Sequence, residues 1–333
     1  MSKTLSGFLT GVAFGAEGTM GVEAATYPHL WDAQETDGLD LGESPYDVRA
    51  LRGARGQVGA GHRVMQQLPG GSLPAMPIAI GTAGATPLVL LQAHLQGLAV
   101  AGTTAPYTYT GTPATAAIED DAWFTLSVIK ETGVDNHAHR FLGCVIDELK
   151  IAWEAGGPIT IAPTAIKAMS GDADGTMPTF PSPSSDGYLQ APRIACLWNG
   201  TEIHPASWTI TSKCNIADRQ SGSARGRIGF VMGDYDGAVE IEVWRNEDSN
   251  TNWVGPFYDG AIGTLSIAAY PATVLLTGGQ PPTFTYLGYF KVELPSNLNT
   301  NNGDLKDTVT LRCMADTSLP VFSLTQESGT LLD

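Results

Sequence analysis

The 333-residue chain predicts a mainly β protein made of two successive β-domains, with one helix lying against a sheet and an extended N-terminal arm. Three observations carry that expectation. Glycine (39 residues) and proline (21) are abundant, which suits short strands joined by turns and suits long helices badly. From Trp123 onward apolar residues recur with a period of two, the signature of half-buried strands. The segment LRGARGQVGAG (Leu51–Gly61) has an echo in SGSARGRIGFVMG (Ser221–Gly233), both containing Ala-Arg-Gly-x-[Val/Ile]-Gly. After each comes a hairpin-like stretch, a middle element and a late pair of strands: Trp123–Lys130 with Arg140–Ile151, then Tyr286–Leu294 with Asp307–Ala315. A duplicated unit of roughly 150 residues is an ordinary domain size.

Taken in order, the residues up to about Tyr46 hold turn formers, scattered acids and isolated aromatics, which read as an arm that borrows its core from a neighbour. Thr86–Val100 (TPLVLLQAHLQGLAV) is the one clear helix signal. Thr86 serves as cap, Pro87 fits the first turn, and Leu88, Leu91, Leu95 and Leu98 form an apolar stripe. Trp123–Lys130, Phe141–Ala155 and Pro158–Pro163 read as strands, the second long enough for two strands or one bent one. Ser170–Gly187, dominated by Ser, Gly, Pro and Asp, reads as a linker, with an ordered surface loop as the alternative. It divides the chain into 1–185 and 186–333. Strand patterns resume at Ser207–Lys213, Arg227–Asp234, Ala238–Arg245, Thr264–Tyr270, Phe284–Leu294 and Asp307–Asp316.

With 43% hydrophobic and 16% charged residues the chain has the composition of a globular protein. Its formal charge of −16 is spread over both halves, with 9 basic and 18 acidic residues through Ser185 and 9 and 16 after it. Such a surface repels phosphate, which argues against a counterion-releasing grip on nucleic acid, yet suits a conduit that must not hold DNA. Cys144, Cys196, Cys214 and Cys313 show no CxxC or zinc-type spacing and read as reduced thiols of a chain folded in cytosol. The stretch LSGFLTGVAF after Lys3 is interrupted by Gly and Thr and lacks a convincing cleavage site, so secretion is not expected. No run reaches the ~18–20 apolar residues of a membrane span.

Four constellations bear on chemistry. Asp236, Glu240 and Glu242 lie in DGAVEIEVWRNED with Glu247 and Asp248; Glu240 and Glu242 share one strand face while Val239, Ile241 and Val243 share the other. Paired carboxylates could serve a glycosidase, but alternation of this kind is first a solvated strand face. In DNHAH (Asp135–His139) two histidines stand on one strand face, half of a metal site with nothing placed to complete it. The Gly-Arg segments lack the phosphate-loop pattern; Arg52, Arg55, Arg225 and Arg227 read as contacts to acids of an adjoining subunit. Asn199–Thr201 is formally a glycosylation acceptor, relevant only to a secreted chain. No Ser-His-Asp or Cys-His set can be nominated.

HRFLGCVIDELKIAWEAGGPITI (His139–Ile161), preceded by PLVLLQAHLQGLAV and YTYT, resembles the two-part tail tube proteins of long-tailed bacteriophages. So do the early GAEGTMG and the late LWNGTEIHPASWTITSKCNI (Leu197–Ile216), and the resemblance spans about Gly15 to Asp316. The second half departs most, offering only NTNWVGPFYDGAIG where the first has its helix. The resemblance implies tandem β-sandwich or partial-barrel domains of tail-tube type with a flanking helix. It also implies a trimeric ring of six domains, and rings stacked into a hollow tube for DNA ejection, with Asp236, Glu240 and Glu242 as lumen-facing acids that DNA does not stick to. Implied partners are further copies of the chain, a tape-measure protein, and the tail terminator and distal tail proteins, with no cofactor and no enzyme activity. The implied location is the virion tail, assembled in the host cytoplasm. The alternative is a secreted carbohydrate-binding or hydrolytic β-sandwich protein using Glu240 and Glu242.

Overall fold

The computed structural model describes residues 11–31, 38–50, 58–78, 85–102, 105–114, 118, 122–131, 137–176, 189, 193–220, 226–244, 259–270, 282–295, 306–314 and 318–326. Among the described residues there are twenty-two strands and one helix. The first stretch holds β1 (Val12–Ala16), β2 (His29–Trp31), β3 (Glu43–Ala50), β4 (Val58–Gln67), β5 (Gly70–Gly71), β6 (Met76–Pro77) and α1 (Ala85–Leu95). Then come β7 (Leu98–Ala101), β8 (Tyr107–Gly111), β9 (Leu126–Glu131), β10 (His137–Glu154), β11 (Thr160–Lys167) and β12 (Ser170–Thr176). The remainder holds β13 (Arg193–Trp198), β14 (Thr201–Ile203), β15 (Pro205–Lys213), β16 (Ala217–Gln220), β17 (Arg227–Val231) and β18 (Asp236–Trp244). It ends with β19 (Ile262–Tyr270), β20 (Thr283–Pro295), β21 (Lys306–Cys313) and β22 (Val321–Gln326).

All described pairings are antiparallel, and β10 is their pivot. Its first half pairs with β9 and β12, and β9 leads on through β1 to β2. Its second half pairs with β11 and β15. From β15 the sheet continues through β18 and β21 to β20. There it branches into β22–β8–β7 and β19–β13–β14. The sheet curls barrel-wise about one continuous core, although no described ladder joins β7 or β14 back to the β5–β6 border of β11. Residues 185 and 186 lie outside the described set. The stretches before and after them share a seven-pair ladder between β10 and β15 and a five-pair ladder between β8 and β22.

The strands expected after Ser207 stand within a few residues of their anticipated bounds. In β18 Val239, Ile241 and Val243 are buried while Glu240 and Trp244 are exposed, so the period of two does what the pattern requires. The long strand is continuous and kinked: Gly143 sits at φ +63° between Phe141 and Cys144, where the register to β9 shifts. A left-handed residue there is a bulge that glycine tolerates and others resist.

Three expectations are corrected. Residues 12–31 are not an arm. Val12, Phe14 and Trp31 enter the main core, while Ala13 packs with Tyr27, Ile129 and Ala138 on the other side. A strand covered on both faces reads as a continuous apolar run, so it lacks the alternation of a half-exposed one. The helix, spanning Ala85–Leu95, has no polar face: Leu88 to Leu91, Ala93, His94 and Leu95 are all buried. Consecutive apolar residues leave no side for water, so α1 lies against the sheet as expected, bonded through His94 to Ile146 of β10 and Ser212 of β15, but is covered on its other faces as well. Gln92 accepts the Leu98 N–H at 2.7 Å, and Gln96, at φ +61°, ends the helix and bonds its amide to Ala93 O and Phe124 O. Finally, the linker begins with a strand, because Ser170–Thr176 pairs with β10. Gly171 packs against Leu41 and Pro69, where a Cβ would come within 2.7 Å of Leu41 Cδ2.

Candidate functional site

The outward face of the β10–β15–β18–β21 sheet carries the acids singled out above. Its register builds cross-strand rows: Glu154–Ser207–Glu242–Thr308, Ala152–Thr209–Glu240–Thr310, Lys150–Thr211–Ala238–Arg312 and Glu148–Lys213–Asp236. Glu240 is exposed and Glu242 half-buried, with Ser207 Oγ donating to Glu242 Oε2 at 3.4 Å. The cations gather at the Asp236 end. Arg312 contacts Asp236 at 3.3 Å and Glu293 at 2.8 Å, and Lys213 lies 3.9 Å from Glu148. Those two carboxylates hold the Arg312 guanidinium above its ordinary range, the Glu293 hydrogen bond first. Glu240 has Thr209 and Thr310 as its direct cross-strand neighbours, and toward the opposite end Glu154, Glu240 and Glu242 outnumber the one cation, Lys306 beside Trp244. An open cavity of about 450 Å³ lies elsewhere, bordered by Gly38, Asp40, Gly70, Thr164, Lys167 and Arg227 among others, so the paired acids stand on a sheet surface outside it.

Arg227 is held by its own chain. Its side chain is 7% exposed; Nε stands 2.9 Å from Asp218 Oδ1 as an ion pair without hydrogen-bond alignment, and Nη1 donates to Pro69 O and Ala168 O, each at 2.6 Å. Beside it Lys167 pairs with buried Asp147 at 3.1 Å and donates to Ile216 O, while Asp147 Oδ1 accepts the Ile216 N–H at 2.7 Å. These contacts pin the β16–β17 hairpin onto β10 and β11. Arg52, Arg55 and Arg225 lie outside the described residues, as does Asp135 of the DNHAH stretch. His139 is half-buried on β10, paired in register with Lys130. Among the described residues no three His, Cys, Asp or Glu side chains converge as a metal site.

One polar constellation escaped the sequence reading. His94 Nδ1 donates to Ile146 O at 3.0 Å, so Nε2 accepts the Ser212 hydroxyl at 2.7 Å, and Ser212 Oγ accepts from Tyr235 OH at 3.1 Å. Burial lowers the His94 pKa to about 4, keeping the ring neutral and this tautomer in place. Cys214 lies beside it, its Sγ donating to His94 O at 3.4 Å, and burial lifts its thiol to about 12. A Ser–His pair with this spacing is the geometry of an activated nucleophile. At 0% exposure for His94 and 1% for Ser212, however, it forms a hydrogen-bonded spine through the core. A signal existed: Ser212 shares the inward parity of Trp208 and Ile210. Cys196, like Cys214, is buried with its pKa pushed up to about 12, and burial pushes that of the partly exposed Cys313 to about 11, which disfavours the thiolate near neutrality.

No protein-family model matches the chain, and no curated protein is similar enough to count as a relative.

Proposed function

We propose that this chain is a self-assembling structural protein, the tail tube subunit of a long-tailed bacteriophage. Copies close into rings, three chains to a ring, and the rings stack into a hollow conduit through which DNA passes without being gripped. One observation carries the reading: an acidic outward sheet face accompanies a hairpin that pairs with no other strand described in its own chain. The hairpin is β3–β4, registered from Glu43↔Gln67 to Ala50↔Val58. From Glu43 to Gln67 the sequence carries Arg49, Arg52, Arg55 and Arg63 against Glu43 and Asp47, a net charge of +2 in a chain of −16. A two-stranded hairpin alone is marginal in water and gains stability by docking. An acidic face on a neighbouring copy is a complementary dock, and acids left uncovered beside it and presented to a bore repel phosphate. The resemblance of His139–Ile161 and Leu197–Ile216 to tail tube proteins, read from sequence, supports the same reading. Further partners on it are a tape-measure protein within the growing tube and completion proteins at its two ends. Assembly takes place in host cytoplasm, and the finished location is the virion tail.

Negative-stain electron microscopy of the purified chain over a concentration series, with mass photometry of the smallest species, tests this. Trimeric rings or hollow tubes are the expected result. Hexameric rings would keep the tube and overturn the tandem arrangement. A monomer with a glycan-dependent thermal shift lost in Glu240→Gln or Glu242→Gln would replace the tube reading by the carbohydrate-binding one.

A further inference from the structure

The outward face changes character along the sheet. Beyond β21 a single cross-strand row runs Ala99–Thr110–Ser323–Thr285–Ala268–Ala195 over six strands without one charged side chain. The rows beside it set Leu287 opposite Ser266 and Val321 and Tyr289 opposite Thr264, and charge enters at the margins, where Arg193 pairs with Tyr270 and Lys291 with Ile262. Four large side chains there lie substantially open to solvent: Leu287 at 49%, Ile262 at 47%, and Tyr270 and Tyr289 at 40% each. The threonine and serine hydroxyls are engaged with one another, Thr108 with Thr325 at 3.1 Å and Thr110 with Ser323 at 3.3 Å. At the border stands β7, four residues with neither charge nor proline, paired on one side with β8 and leaving Val100 at 51% exposure. Edges that must stay unpaired are ordinarily blunted with lysine, proline or bulges.

We propose that this uncharged part of the sheet is the face through which a second copy of the chain binds. Its occupant follows from charge. Each copy carries −16, so two sheet faces meeting through their Glu240–Glu242 parts would set carboxylates against carboxylates, which leaves that part to the basic β3–β4 segment. The uncharged part lets two copies meet without desolvating an ion. Composition agrees, because interface cores are depleted in Lys, Glu and Asp and enriched in aromatics. Six strands about 4.8 Å apart, with outward residues about 6.8 Å apart along each, cover on the order of 700 Å², close to the ~800 Å² per partner of a stable interface. The inference takes its occupant from the self-assembly reading and adds to the hairpin dock a second, uncharged contact face.

The test is mass photometry and size-exclusion chromatography of the full chain against Leu287→Lys/Tyr289→Lys, with circular dichroism confirming the fold. Two desolvated lysines are expected to weaken self-association about 100-fold or more. Should the double variant misfold, Leu287→Lys alone, at the most exposed large side chain of this face, repeats the test. Self-association unchanged in a folded variant overturns the proposal, as does a wild-type chain that stays monomeric throughout. Microscopy of the same samples separates the two readings. Tubes that persist in the variant overturn this face and keep the tube, whereas closed dimers lost in the variant establish the face and remove the tube.

Discussion

Glu17 Oε1 accepts the backbone N–H of Gly143 at 2.8 Å, so a side chain at the end of the first strand holds the kink of the longest one. The same carboxylate accepts from Ser127 Oγ at 2.8 Å, Thr125 Oγ1 at 2.7 Å and the Gly21 N–H at 2.8 Å. Four donors converge on two oxygens. Hydrogen bonds to a charged group contribute about 1.5–3 kcal/mol each, and removal leaves the donors to find water at a half-buried site. Glu17→Ala is therefore expected to lower unfolding free energy by about 3 kcal/mol or more, and Glu17→Gln by a comparable amount because its amide nitrogen would face donors. Urea denaturation at neutral pH checks both; Val22→Ala, at an exposed position nearby, is the control expected to change little.

Gly143→Ala probes the kink directly. At φ +63° an L-residue costs roughly 1–2 kcal/mol, and the new Cβ would come within 2.7 Å of Met169 Cγ and 2.9 Å of its Sδ. Those Met169 atoms belong to a flexible side chain. Gly143→Ala/Met169→Ala should thus relieve the collision and keep the backbone strain, giving a non-additive double-mutant cycle. Additive losses would mean that Met169 already moves aside at no cost.

The Arg227 contacts distinguish an internal lock from a docking residue. Truncation to alanine leaves the carbonyls of Pro69 and Ala168 without their donor and Asp218 with only Lys167, 4.0 Å away, and breaking a buried pair costs about 3–5 kcal/mol. Arg227→Lys should recover only part of the loss, since an ammonium lacks the fork that reaches Asp218 and two carbonyls together. The thermal midpoint of the variant is expected to fall by the same amount at every protein concentration. A drop that grows with concentration would mean instead that Arg227 works between subunits.

Half-exposed strands such as β15, β18 and β19 were legible because one face must alternate with the other. The β1 strand was not, because both of its faces are covered, and β12 was not, because Ser, Gly and Asp were read as signs of a linker. The hairpin turn at Asn199–Gly200, with φ +48° and +79°, carries the Asn-Gly signal that left-handed turn positions favour. What no local pattern could supply is convergence from a distance. His94 and Ser212 are 118 residues apart, and the four donors to Glu17 come from three separate segments. Parity along a strand says that Ser212 points inward; only the assembled sheet says what it meets there.

Stability should also depend on pH through two histidines. Burial lowers both His94 and His29 from 6.5 to about 4. Below pH 6.5 the unfolded chain takes up protons at these sites while the folded chain does not, so stability falls as pH falls. The decline ends near pH 4, where the folded state protonates too. Each 2.5-unit separation corresponds to roughly 3 kcal/mol. His94→Gln keeps a donor for Ile146 O and an acceptor for Ser212 but does not titrate in this range, so it is expected to be less stable than wild type at pH 7.5 and to lose less between pH 6.5 and 4. Chemical denaturation at intervals across that window measures the two slopes. Equal slopes for the variant and wild type would mean that His94 does not resist protonation in the folded chain, and that the neutral His94–Ser212–Tyr235 spine is not what holds α1 against β10 and β15.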